Sequence, residues 1–123
     1  MTDVRVLLVD DQAPFLRAMS AVVEAAAGFE VIGEALSGEQ CMMAAAELLP
    51  DVVLMDMNLP GMDGVEATSR LRALSSPPVV VLLSTYDEAV GARFVAWCGA
   101  AAYVTKSALG PDRLRALWDT ASA

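Results

Sequence analysis

The sequence predicts an α/β protein in which one doubly wound parallel sheet is covered by helices on both faces. Three observations lead there. Short apolar runs rich in β-branched residues (Val6-Leu7-Leu8-Val9, Val52-Val53-Leu54-Met55, Val79-Val80-Val81-Leu82-Leu83) have the continuous hydrophobicity of strands buried on both faces. Segments of helical length separate them, which implies parallel strands joined by right-handed crossovers. Each run also ends on a polar residue: Asp10 and Asp11, Asp56, Ser84, and Lys106 after Tyr103-Val104-Thr105. A doubly wound sheet binds ligands at the carboxyl ends of its strands, so these residues are expected to meet at one edge.

The elements follow in order as five strand–helix pairs. Val4 to Asp10 is the first strand. Pro14 opens a helix with Phe15, Met19, Val22, Val23 and Ala26 on one face, and Gly28 ends it. Phe29 to Ala35 is more polar and carries Gly33, which suits an edge strand. Ser37 with Gln40 signals a capping box for a second helix reaching about Leu49, and Pro50-Asp51 precede the third strand. Asn58 to Met62 is a loop by composition, after which Asp63 with Glu66 caps a third helix to Leu74. The fourth strand leads to Ser84-Thr85, and a helix from Asp87-Glu88 carries Val90, Phe94 and Trp97 until Gly99. A short last strand ends near Lys106. Gly110-Pro111-Asp112 open a final helix whose inner face is Leu114, Leu117, Trp118 and Ala121.

At 123 residues the chain is expected to be one domain, residues 1–123. No apolar run approaches the roughly 20 residues that cross a bilayer, and the N-terminus runs into a strand without signal-peptide features. The expectation is therefore a cytoplasmic protein with no membrane segment. Cys41 and Cys98 lack metal-ligand spacing and there is no histidine, so both read as buried thiols. Sixteen acids against eight bases argue against these residues binding nucleic acid. Lys106 is the only lysine among eight basic residues, which hints that a compact ammonium is wanted there.

Three carboxylates, a hydroxyl and an ammonium suit a magnesium ion and a phosphoryl group. Magnesium takes six oxygens. Asp11 and Asp56 can supply two, Asp10 another directly or through water, and the Asn58 backbone carbonyl a further one. Crowded carboxylates repel, so without metal one should have a raised pKa, and a cation would stabilise the fold. Asp56, mid-sheet before a Gly/Pro loop, is the expected nucleophile toward phosphorus. Lys106, Ser84 and the ion would each take one equatorial oxygen. Singly, each residue has a plainer use as a cap, turn or surface group. Tyr103 reads as half-buried packing, and Met42, Met43, Met55, Met57 and Met62 as core and rim filler. The weight lies in the set.

That set, Asp10-Asp11, Asp56-Met57-Asn58-Leu59-Pro60-Gly61-Met62-Asp63-Gly64, Ser84-Thr85 and Tyr103-Val104-Thr105-Lys106, resembles the receiver domain of two-component response regulators over essentially the whole chain. The resemblance implies a flavodoxin-like (βα)5 sheet of strand order 2-1-3-4-5. It implies a signalling switch in a phosphorelay that accepts a phosphoryl group from a sensor histidine kinase with Mg2+, and not an enzyme on other substrates. By position, Asp56 is the phospho-acceptor, Asp10 and Asp11 bind magnesium, and Lys106 contacts the phosphoryl group. Ser84 is the hydroxyl switch residue and Tyr103 the aromatic that changes rotamer. Ser84 stands where threonine is commoner, and Ser107 where many receivers have proline. The second feature, with Leu83-Ser84-Thr85-Tyr86-Asp87, resembles receivers that carry a helix-turn-helix DNA-binding domain. The stretch from Gly99 to Lys106 departs from that group's usual ending.

The implied switch draws Ser84 toward the new charge, lets Tyr103 turn inward and remodels the face of the fourth helix, last strand and last helix. Phe94, Trp97 and Trp118 would suit a homodimer through that face, and equally a core. DNA binding would need an output domain beyond Ala123. A rival class is a Mg2+-dependent phosphohydrolase with an aspartyl-phosphate intermediate. It usually places a second acid two residues after the nucleophile, where Asn58 stands, and needs a cap insertion that this chain lacks.

Overall fold

Strict alternation along the apolar runs decides the layering. In the computed structural model, which describes residues 3–85, 95 and 98–123, five parallel strands form one sheet in the order β2-β1-β3-β4-β5. They are β1 (Val4–Val9), β2 (Phe29–Ala35), β3 (Val52–Asp56), β4 (Val79–Ser84) and β5 (Ala102–Thr105). Leu7, Val9, Val53, Met55, Val80 and Leu82 turn to one side, in a core cluster with Cys41 and Ala45 of α2 (Gly38–Leu48) and Ala67 and Leu71 of α3 (Gly64–Arg72). Val6, Leu8, Val52, Leu54, Val81 and Leu83 turn to the other, with Leu16, Met19 and Val23 of α1 (Ala13–Ala25) and Leu114 of α4 (Pro111–Ala121). Side chains alternate along a strand, so a run apolar at every position needs helices on both faces.

Register then builds the edge. Val9 pairs with Met55, Asp56 with Leu83, and Ser84 with Thr105. Asp10, Asp56, Ser84 and Lys106 therefore lie at the carboxyl ends of four adjacent strands. The loop after β3 is pinned by close approach: a Cβ on Gly64 would stand 2.3 Å from the Asp56 carbonyl oxygen and 2.8 Å from Met57 Cα. Only a glycine lets the start of α3 sit that close to the end of β3.

Capping follows the sequence with one change. Ser37 Oγ accepts the Gln40 N–H at 3.1 Å, but Gln40 Oε1 reaches back to the N–H of Leu36, at 2.9 Å, one residue before the N-cap. Asp63 accepts the Glu66 N–H at 2.8 Å. Leu49 ends α2 in the left-handed region, at φ 51°.

Several expectations need correction. Leu16, not Phe15, is the inward residue of the first turn of α1; one step along a helix turns a side chain by about 100°. The third helix stops at Arg72, two residues before Leu74. In α4 only Leu114 is fully buried; Leu117 and Trp118 are half-buried and Ala121 is exposed. Met43 is 73% exposed and fills no core. A 3₁₀ turn, Lys106–Ala108, follows β5. Of the helix expected from Asp87 to Gly99, all but Val95, Cys98 and Gly99 lies outside the described residues, Val90, Phe94 and Trp97 included. Cys41 and Cys98 are both buried free thiols. Among the described residues no helix is long and apolar enough to cross a membrane.

Candidate functional site

Asp10 follows β1 and is fully buried. Its Oδ1 accepts the Gln12 N–H at 2.9 Å and its Oδ2 accepts from Lys106 Nζ at 2.9 Å. Asp11, the next residue, is exposed. Asp56 ends β3 with 4% of its surface exposed. Its Oδ1 lies 3.5 Å from Lys106 Nζ and accepts the Asn58 N–H at 3.4 Å. One oxygen from each of the three carboxylates fits within 4.8 Å of the others. On an octahedral magnesium shell neighbouring oxygens stand about 3 Å apart and opposite ones about 4.2 Å, so the three carboxylates would draw closer together to share one ion. Hard oxygen donors with no sulfur or nitrogen among them suit magnesium, calcium or manganese rather than zinc or copper.

The electrostatics follow from burial. Asp56 has its pKa raised above the ordinary 3.8, first by burial and then by the negative charge of Asp10. The Lys106 charge and the Asn58 N–H pull the other way. The sequence foresaw a raised pKa from crowding, but loss of water outweighs repulsion. Lys106 begins the 3₁₀ turn after β5 and places its ammonium between two carboxylates, with the Phe15 ring centroid 3.6 Å away.

Ser84, the last residue of β4, is fully buried, and its Oγ accepts from Asn58 Nδ2 at 3.3 Å. Asn58 thus bridges the carboxylate and the hydroxyl, by main chain to one and side chain to the other. Tyr103 lies in β5. It is 6% exposed rather than half-buried and belongs to the core cluster on the α2 and α3 side.

Some contributors had no local signal. Glu39 of α2 accepts the Met62 N–H at 3.0 Å and so holds the loop from Met57 to Asp63, in which Gly61 turns at φ +70°. Phe15 was legible only as an apolar helix residue. Gly64 directly after the Asp63 cap was the visible sign of a close approach.

Residues 6–119 match the response regulator receiver domain family. The chain belongs to that family. Transcriptional regulatory protein LiaR of Bacillus subtilis (strain 168) is 46% identical over 86 residues, 69% of this chain and 41% of that protein. A protein-glutamate methylesterase/protein-glutamine glutaminase of Nocardioides sp. (strain ATCC BAA-499 / JS614) is 36% identical over 110 residues, 88% of this chain and 30% of that protein. The signal receiver domain of the putative response regulator NarL from Mycobacterium tuberculosis superposes with a TM-score of 0.89 at 29% identity, covering 100% of this chain and 99% of that one. This receiver chain spans less than half the length of those two curated relatives, whose names describe different outputs. The receiver family favours a signalling switch over the phosphohydrolase alternative.

Proposed function

We propose that this receiver is a phosphorylation switch in which Asp56 accepts a phosphoryl group from a sensor histidine kinase. The observation that carries the reading is the cluster of Asp10, Asp11 and Asp56 at the carboxyl edge of the sheet, with the Lys106 ammonium between Asp10 and Asp56. A magnesium ion held by Asp10, Asp11, Asp56 and the Asn58 backbone carbonyl would polarise the donor and offset the charge on its equatorial oxygens.

An Asp56 carboxylate oxygen attacks phosphorus, and the bond from phosphorus to the donor nitrogen or oxygen breaks. The leaving group departs with the electron pair and is protonated, which leaves an acyl phosphate on Asp56. Lys106 and the Asn58 N–H favour the ionised, nucleophilic carboxylate against the cost of its burial. Lys106 then exchanges a carboxylate for a phosphoryl oxygen. The Ser84 hydroxyl leaves the Asn58 amide and donates to a second oxygen. Moving a two-state equilibrium from mostly off to mostly on takes about 5.5 kcal/mol. One charge-assisted hydrogen bond supplies about 1.5–3 kcal/mol, so Lys106, Ser84 and the ion act jointly. Tyr103 responds by changing rotamer and turning inward into the space that Ser84 vacates.

Residues 1–123 form one receiver unit, in the cytoplasm, that catalyses only its own phosphorylation and dephosphorylation. Its output face joins the helix expected after β4 with β5 and α4, where a homodimer contact would form. Control of transcription would pass through a DNA-binding domain beyond Ala123; the likeness to LiaR supports this output, and the acidity of these residues keeps DNA off the receiver itself.

Intact-mass spectrometry after incubation with acetyl phosphate and Mg2+ tests the reading. One added phosphoryl group, absent in Asp56→Asn, is expected. Continuous turnover of a phosphate ester without a stable label would instead favour the phosphohydrolase.

A further inference from the structure

Phe15 sits in the first turn of α1, where Pro14 presets the backbone. Helix side chains lean toward the N-terminus, so this ring projects toward the carboxyl edge of the sheet. Its centroid is 3.6 Å from Lys106 Nζ, well inside cation–π range. The ring also walls an apolar hollow of about 80 Å³ shared with Met19, Val22, Leu83 and Leu109, against which the Lys106 stem lies.

We infer that Phe15 is a positioning residue for Lys106, an inference that rests on the phosphoryl chemistry proposed above. Both carboxylates that hold the ammonium, Asp10 at 2.9 Å and Asp56 at 3.5 Å, change partners in that chemistry, one by binding the metal and one by becoming an acyl phosphate. The ring is the contact that the chemistry leaves alone. A cation–π attraction is weakly directional, so the ammonium can pivot over the ring from carboxylate to phosphoryl oxygen without being released to water. The apolar wall around the stem keeps the local dielectric low, which strengthens the pull of the ammonium on a developing anion.

The lone lysine makes the test direct. In protein labelled at lysine Cε, the single side-chain signal should carry an upfield ring-current shift from Phe15. Phe15→Leu and Phe15→Met should remove that shift, and Phe15→Tyr should keep it. With acetyl phosphate and Mg2+, the Leu and Met variants should lose roughly 2- to 30-fold in maximal labelling rate, with little change in the donor concentration at half-maximum, and Tyr should restore the rate. A wild-type lysine signal at its random-coil position overturns the contact. Full-rate labelling in Phe15→Leu with the shift gone overturns the positioning role while leaving the phosphoryl reading intact. A wild-type protein that takes no phosphoryl group at Asp56 overturns both.

Discussion

Replacing Lys106 with methionine keeps an unbranched apolar stem and removes the ammonium from between the Asp10 and Asp56 carboxylates. Asp10 is fully buried and retains the Gln12 N–H, but it loses its charge partner at 2.9 Å. Breaking a buried pair by deleting one partner costs about 3–5 kcal/mol. The Lys106 side chain is 13% exposed, so water can partly repair the loss and the lower end applies, about 3 kcal/mol. For a chain of this length 1 kcal/mol moves the melting temperature by about 4 °C, so Lys106→Met should melt about 12 °C below wild type in EDTA. Millimolar Mg2+ should raise its melting temperature more than that of wild type, because the ion supplies the missing positive charge. Asp10→Asn in the same chain should return most of the loss, a non-additivity expected of residues in contact. Circular dichroism melts measure all of this. A variant that melts within about 2 °C of wild type in EDTA would refute the buried-pair argument.

Burial raises the pKa of Asp56 in the fold, so the fold prefers the protonated acid. Stability is then lost as pH rises from the unfolded value of 3.8 through the folded one, and stays lost above it. Asp56→Asn in EDTA should accordingly melt higher than wild type at pH 7 and no higher near pH 3; equal melting at both would contradict this. Gly64→Ala forces a Cβ to within 2.3 Å of backbone oxygen, so it should cost about 1–3 kcal/mol by urea denaturation. A change below about 0.5 kcal/mol would show that the α3 start is free to move. Burial pushes the Cys41 thiol from 9.0 up to about 12, so at pH 8 a thiol reagent should modify it only as fast as the protein unfolds. Faster labelling of the native protein would contradict its burial.

The fold was legible because its signals are local. Doubly buried strands show as unbroken apolar runs, and the Ser37 and Asp63 caps need only three residues of context. The site was legible for a topological reason: parallel strands place every carboxyl end on one edge, so reading the last residue of each run amounts to reading the edge. Contacts that cross the chain were not legible. Asn58 meets Ser84 from 26 positions away and Glu39 meets Met62 from 23. Phe15 and Leu16 are adjacent and both apolar, and only packing decides which turns to the core and which to Lys106. The burial of Tyr103 depends on neighbours from other elements and was underestimated for the same reason.

Phosphoryl transfer to Asp56 leaves phosphorus bonded to the carboxylate at position 56. An acyl phosphate, unlike a free carboxylate, is reduced by borohydride to the alcohol, which turns aspartate into homoserine. Protein incubated with a phosphodonor and Mg2+, then reduced and digested, should yield homoserine at position 56 by tandem mass spectrometry, with Asp10 and Asp11 unchanged. Homoserine at position 10 or 11, or none after stoichiometric labelling, would rule out Asp56 as the acceptor.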